Sequence, residues 1–448
     1  MKSRRHLFLF LLLLAAALPC AAALNFLVIT ITNAGPGPTS VAVADVNGDG
    51  KPDLICANHD VSAGNTLTIF TNGGSGIFGS NATITVGNGV GLVLAADMNG
   101  DGKPDLVCNG SLGTQGAITV LTNDGTGSFP LGNSQLQSAL VGGMVVADIN
   151  GDGRPDVITA NFNANTLSVY TNSANGIGFN ASISAPGNPI SVVVADVNGD
   201  GKPDLISANY TAGAASSVTL WTNNGSGGFV FSANFAGGLN PRRVTVADLN
   251  GDGKPDLIVA NALIHQLTLL TNNGSGVFGA YTSAGVDLGG AGDVVMADLN
   301  GDGRPDLISA NSTNNTLTVV TNSSSSPAFA YNNTLTLSAT VCQPFSVVAA
   351  DLNGDGKLDL VTANYGNNTL SVLMNTNVFP APKLSIASSG GKAVTSWPAW
   401  NGGFTLQTNG NLAITAGWAT DAGIIGYDGL KNTVTNATTK NLFFRLMH

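Results

Sequence analysis

The stretch Asp45–Asp53, DVNGDGKPD, returns six more times along the chain. It reads DMNGDGKPD from Asp97, DINGDGRPD from Asp148, DVNGDGKPD from Asp196, DLNGDGKPD from Asp248, DLNGDGRPD from Asp298 and DLNGDGKLD from Asp351. Successive copies start 52, 51, 48, 52, 50 and 53 residues apart. A fixed period of this size marks a repeat architecture, in which each unit buries its apolar face only against its neighbours. A β-branched run precedes each copy, such as Ser40–Ala44 or Ser191–Ala195, and an apolar run such as Leu54–Ala57 or Leu257–Ala260 follows. An Asn-rich turn then leads to a Thr/apolar alternation, as in Thr66–Phe70, Thr166–Tyr170 and Thr316–Val320. A Thr-Asn pair usually closes it, and a Gly/Ser turn, a phenylalanine and a weaker run such as Ala82–Val86 complete the unit. Four short strands in about 50 residues form one propeller blade. The expected fold is therefore all-β: a seven-bladed β-propeller over residues 24–379. Its last repeat lacks a fourth strand, and Phe26–Thr32, ahead of the first repeat, is placed there to close the ring.

Composition agrees. The chain has 448 residues, 58 of them glycine, and only 10% are charged. No glutamate occurs, so all 27 acidic residues are aspartates. Long solvated helices are disfavoured by this usage. A net charge of −10 speaks against nucleic acid as a partner, and 43% hydrophobic residues speak against disorder.

Within each nonapeptide, positions 1, 3, 5 and 9 carry side-chain oxygens, and position 7 offers a carbonyl between the glycines and the closing Asp. The sets are Asp45, Asn47, Asp49, Lys51 and Asp53; Asp97, Asn99, Asp101, Lys103 and Asp105; Asp148, Asn150, Asp152, Arg154 and Asp156; Asp196, Asn198, Asp200, Lys202 and Asp204. The remaining three are Asp248, Asn250, Asp252, Lys254 and Asp256; Asp298, Asn300, Asp302, Arg304 and Asp306; Asp351, Asn353, Asp355, Lys357 and Asp359. All-oxygen donors without His or Cys suit Ca²⁺, with up to seven ions expected, and Mg²⁺ is the second choice. An EF-hand needs a bidentate Glu at position 12 and flanking helices, and this chain offers neither. Three carboxylates within one loop repel one another unless a cation joins them. Losing Lys2, Arg4 and Arg5 with a leader takes the net charge from −10 to −13, and seven divalent ions would return it to about +1. The acidity is thus read as ligand charge.

With these motifs in view, the chain resembles the FG-GAP/VCBS repeat family, which includes the integrin α-subunit propellers. The resemblance spans about residues 25–379. It implies a seven-bladed propeller with Ca²⁺ held at positions 1, 3, 5, 7 and 9 of the hairpin loops, and secretion with a part in adhesion or recognition. Two departures stand out: Asn at position 3 in every copy, and Leu358 where the other six copies have Pro.

The rest of the chain yields further expectations. Residues 1–23 read as a secretory signal peptide: Lys2, Arg4 and Arg5, an apolar run from Leu7, then Ala21–Ala23. The run is too short to span a bilayer, so no membrane span remains after cleavage. Cys56, Cys108 and Cys342 read as buried thiols rather than a disulfide framework. The phenylalanines at 78, 129, 179, 229, 278, 329 and 379 read as packing between sheets. Residues 380–448 break the period and read as a small C-terminal β-module whose Trp397, Trp400 and Trp418 form its core. Catalytic material is sparse: His59, His265, His448, and six aspartates outside the loops, Asp60, Asp124, Asp287, Asp293, Asp421 and Asp428. Arg242 and Arg243 either meet an anion or are solvated. The functional expectation is a secreted, non-enzymatic, calcium-bearing scaffold that recognises an extracellular glycan or protein. The alternatives are a calcium-dependent carbohydrate-active enzyme resembling a polysaccharide lyase, and a purely structural cell-surface component.

Overall fold

In the computed structural model, residues 24–377 are described apart from 60–65, 88, 113–114, 138–139, 211–215, 262–265, 283–289, 323–328 and 338–341. Strand segments between 385 and 447 are described as well. The expected leader and Phe379 lie outside the described residues.

Seven four-stranded antiparallel sheets follow the seven repeats. From the innermost strand outward, blade 1 comprises Pro38–Ala44, Asp53–Asn58, Thr66–Asn72 and Phe78–Thr85. Blade 2 is Val93–Ala96, Asp105–Leu112, Gln115–Leu121 and Leu131–Gln137. Blade 3 is Val141–Ala147, Asp156–Asn161, Thr166–Ser173 and Gly176–Ser184. Blade 4 is Asn188–Ala195, Asp204–Tyr210, Ser216–Asn223 and Phe229–Gly238. Blade 5 is Pro241–Ala247, Asp256–Asn261, Gln266–Asn272 and Phe278–Thr282. Blade 6 is Ala291–Ala297, Asp306–Asn311, Thr316–Asn322 and Phe329–Thr336. Blade 7 takes Pro344–Ala350, Asp359–Asn364 and Thr369–Asn375 from the last repeat. Its outermost strand is Phe26–Ile31, paired antiparallel from Phe26 opposite Asn375 to Ile31 opposite Leu370. Thr376 N–H donates to the Asn25 carbonyl at 3.0 Å, extending the seam. Each innermost strand neighbours the next around the ring, and the strands of blades 7 and 1 also touch.

Burial explains why these runs are strands. The second strand of blades 1, 3, 5, 6 and 7 is buried at every residue, because sheets lie on both of its faces. A continuous apolar run is what such a position requires. The outer strand of blade 1 alternates between half-buried and exposed residues. The core is correspondingly divided into seams between blades. Ile55 and Leu67 of blade 1 pack with Leu106 and Leu121 of blade 2, and Leu54 and Phe70 pack with Val361 and Leu370 of blade 7.

The innermost strands are also pinned to one another. Ser40 Oγ accepts the Val93 N–H at 3.4 Å, and Ser191 Oγ accepts the Val244 N–H at 3.2 Å. At the equivalent place in blade 6, Asp293 accepts the Val347 N–H at 3.2 Å and the Arg243 Nε–H of blade 5 at 3.0 Å. Arg243 is therefore used inside the ring, while Arg242 is exposed. Blade 3 has Gly143 at this place. A Cβ there would lie 2.9 Å from the Ile190 carbonyl oxygen, so the glycine sets the spacing of blades 3 and 4.

Cys56, Cys108 and Cys342 are buried free thiols. Phe129 and Phe278 are buried, and Phe78 and Phe229 pack partly buried against the seams. Phe179 departs from the expected packing: it is 59% exposed. The turn of blade 3 is one residue shorter, so Ile177 stands opposite Asn172, as Phe78 does opposite Asn72. Ile177 takes the buried place, and Phe179 lies edge-on to Tyr170 at 5.7 Å.

Beyond residue 380, two small sheets form. One runs in the order Ser385–Ser389, Lys392–Pro398, Lys431–Ala437, Ile425–Tyr427, and the other Ala419–Thr420, Thr405–Asn409, Phe443–Met447. Trp400 and Trp418 lie outside the described residues.

Deleting residues 24–33 strips blade 7 of its outer strand and exposes the Thr369–Asn375 edge. The thermal midpoint is expected to fall by more than about 5 °C, measured by circular dichroism; an unchanged midpoint would contradict the closure.

Candidate metal sites

Every nonapeptide connects the innermost strand of its blade to the second, so all seven loops lie at the same end of their blades. The loop is wound about its first residue. Asp45 Oδ1 accepts the N–H groups of Gly48 at 2.8 Å and Asp49 at 3.2 Å, and Oδ2 accepts Gly50 N–H at 2.8 Å. Asn47 Oδ1 accepts Asp49 N–H at 2.9 Å, and Asp49 Oδ1 accepts Lys51 N–H at 3.0 Å. The same bonds recur in the six other loops. Gly48 and Gly50 have φ of +74° and +81°. A Cβ on Gly50 would meet nothing within 4 Å, so backbone handedness, not space, demands glycine there.

Position 9 is different in kind. Asp53, Asp105, Asp156, Asp204, Asp256, Asp306 and Asp359 are all fully buried. Asp53 Oδ2 accepts the N–H of Val46, loop position 2, at 3.1 Å, and Oδ1 accepts the N–H of Asn72, at the end of the third strand, at 2.8 Å. All seven blades repeat this pair of bonds. The closing Asp therefore ties the loop to the sheet.

The asparagine goes further. Asn72 Nδ2 donates to the Leu352 carbonyl, position 2 of the loop in blade 7. Asn123 reaches Val46, Asn172 reaches Met98, Asn223 reaches Ile149, Asn272 reaches Val197, Asn322 reaches Leu249 and Asn375 reaches Leu299. The seven bonds measure 2.6 to 2.9 Å and form a closed belt, each from one blade to the loop of the preceding blade. Sequence reasoning read the Thr-Asn pair only as a strand end. The signal was its presence in nearly every repeat. Leu358 keeps the local pattern, since its carbonyl accepts from Asn375 at 3.1 Å as the Pro52 carbonyl accepts from Asn72.

Electrostatics at position 9 is unfavourable in the bare protein. Burial, then the carboxylates at positions 5 and 1, push Asp53 above the usual range against two backbone hydrogen bonds. Asp105, Asp204 and Asp256 are raised for the same reasons. Asp156 and Asp359 are pushed up to about 6. Asp306 is pushed up to about 8 by burial and by Asp298 and Asp302. Lysines supply some compensation: Lys51, Lys202, Lys254 and Lys357 lie 3.0 to 3.9 Å from the position-5 carboxylates of their own loops, mostly in solvent, where such pairs contribute little.

Every side-chain ligand candidate is an oxygen, the donor type a hard divalent ion takes, and, after burial, the position-5 and position-1 carboxylates raise the one at position 9. The arrangement is held by bonds to backbone N–H. Among the described residues, no group of three or more His, Cys, Asp or Glu side chains converges on a common point. The position-7 side chains point to other work, with Lys103 Nζ donating to the Asp124 carbonyl at 2.7 Å. Among the described residues, the catalytic candidates do not assemble. Asp293 belongs to the interblade pair, Asp124 Oδ1 accepts from Thr126, and His59 is half-buried at the opposite end of blade 1. His265, His448, Asp60, Asp287, Asp421 and Asp428 lie outside the described residues.

The geometry thus defines a seven-bladed propeller whose hairpin loops are acidic, glycine-hinged and belted together. The profile of the FG-GAP-like repeat matches at residues 45–108, 97–159, 148–207, 196–259, 248–309 and 298–362, and the chain belongs to that family. No match was found among curated proteins. Among solved structures, one described as BBS1N in complex with ARL6DN, soaked with lead, aligns with a TM-score of 0.53. It is 13% identical, and the alignment covers 80% of this chain and 98% of that one. The likeness is one of fold.

Replacing Asp204 with Leu leaves the Val197 and Asn223 N–H groups buried without acceptors. In chelator this should cost about 2–5 kcal/mol, read from urea unfolding. Asp200→Asn, at an exposed loop position, should stay within about 0.5 kcal/mol under the same conditions. Equal losses would remove the distinction between the two positions.

Proposed function

We propose that the chain is an exported, calcium-stabilised recognition scaffold without catalytic activity of its own. Residues 1–23 would be the leader, 24–379 the propeller and 380–448 a separate small β-module. The observation that carries the calcium reading is the sevenfold repetition of one buried carboxylate, raised by its burial and by two more exposed ones, in an all-oxygen loop. The side chains at positions 1, 3, 5 and 9 and the carbonyl at position 7 would hold the ion. Bound there, calcium supplies the positive charge that lets the carboxylates stay ionised together. Mg²⁺ keeps more of its own water and remains the second choice.

Recognition is supported by the other end of the blades, opposite the loops. At the blade 7 to blade 1 seam, Phe345 and Tyr365 are 42% and 38% exposed, with ring centroids 5.1 Å apart. Gly37, whose Cβ would lie 3.2 Å from the Tyr365 ring, lets that ring rest on backbone. Exposed aromatics suit an extracellular glycan or a protein surface. The scarcity of acid–base pairs outside the loops favours binding over catalysis. Among the described residues, no helix is long and apolar enough to cross a membrane.

Chelator should lower the thermal midpoint, and added calcium should restore it through linkage; coincident melts would sink the calcium reading. Glycan-array binding that requires calcium would support a lectin-like role. Release of unsaturated products from uronic-acid polymers would establish the lyase alternative instead.

A further inference from the structure

We propose that the seven ion loops are coupled to one another around the ring, with Asn72, Asn123, Asn172, Asn223, Asn272, Asn322 and Asn375 as the positioning residues that carry the coupling. The inference rests on the calcium reading above and deepens it.

Each asparagine joins two loops. Its backbone N–H is held by the position-9 carboxylate of its own loop at 2.7 to 2.9 Å. In blades 1, 2, 4, 5 and 7 one Nδ2 hydrogen goes to the position-8 carbonyl of the same loop, at 2.9 to 3.1 Å. Nδ2 also reaches the position-2 carbonyl of the preceding loop. That carbonyl lies between ligand positions 1 and 3. The residue bearing it is fixed on every side. Ile149, for example, is 1% exposed, its N–H is held by Asp156, and its carbonyl is held by Asn223.

The links therefore form one continuous series: Asp204 to Asn223, Asn223 to Ile149, Ile149 to Asp156, Asp156 to Asn172, Asn172 to Met98, and so on. It closes where Asn72 of blade 1 meets Leu352 of blade 7. The asparagines are at most 4% exposed, so water does not replace a strained bond. An ion drawing on a position-9 carboxylate would pull on the asparagine N–H that the same carboxylate holds, and through Nδ2 on the backbone between two ligand positions next door. Setting one loop would thus favour the set form of the next, and by reciprocity the reverse would hold. The ring has no terminal site, and all seven loops are equivalent in this respect.

Native mass spectrometry of the purified protein during a calcium titration tests the coupling. Seven ions are expected at saturation. At half saturation, empty and full species should exceed the binomial distribution of independent sites. Asp252→Ala, which removes an exposed ligand in blade 5 and leaves Asn272 in place, should weaken uptake in neighbouring loops by about fivefold besides abolishing one site. Adding Asn272→Ser should relieve the blade 4 share of that loss. A binomial distribution, with Asp252→Ala costing one ion and leaving the other affinities unchanged, would overturn the coupling and leave the calcium reading intact. No bound ions would overturn both. If Asn272→Ser fails to fold, the first two readouts still decide.

Discussion

A carboxylate taken fully out of water needs hydrogen-bond donors, and the propeller is organised around meeting that need seven times. In each blade the closing Asp of the loop accepts one N–H from loop position 2 and one from the asparagine at the end of the third strand. Three elements of the blade meet at one buried carboxyl group: the loop, the second strand that begins with the Asp, and the third strand. The asparagine then carries the order outward to the preceding blade. Apolar seams such as that of Ile55, Leu67, Leu106 and Leu121 hold the sheets face to face. They are not directional. The polar belt is directional, and it fixes how far one sheet slides along the next.

Much of this was legible in the sequence. The nonapeptide period gives the blade count, and the apolar run after each loop gives the central strand, buried at every residue in blade 1. Phe26–Ile31 was legible as the missing strand because it alone stood unassigned ahead of the first repeat. The asparagine belt was not legible, although the residues were in plain view. A Thr-Asn pair before a Gly/Ser turn is ordinary turn chemistry, and its second partner lies about 75 residues away, in another sheet. Phe179 shows the converse failure. The motif was present, but a turn shortened by one residue moved Ile177 into the buried place. The candidate loops were legible in composition, but the separate role of position 9 was not. Its Asp is chemically identical to those at positions 1 and 5, and only burial distinguishes it.

The functional reading follows from this division of labour. One end of every blade is committed to acidic loops and to the belt. At the other end Phe345 and Tyr365 stand exposed at the blade 7 to blade 1 seam, the surface on which the proposed recognition rests. The interblade pair of Arg243 and Asp293 commits two of the charges outside the loops to the ring itself.

The direction of the asparagine bonds has an implication for how such a ring is divided into parts. A sheet excised by itself would leave its asparagine amide without the foreign carbonyl it reaches, and its own loop carbonyl without a donor. A piece running from one loop to the asparagine of the following sheet keeps that junction whole. For Asn123 and Val46 that piece spans 77 residues, longer than the 52 that separate their two loops, so each junction draws on two successive repeats and the ring is stitched by overlap rather than by abutting modules.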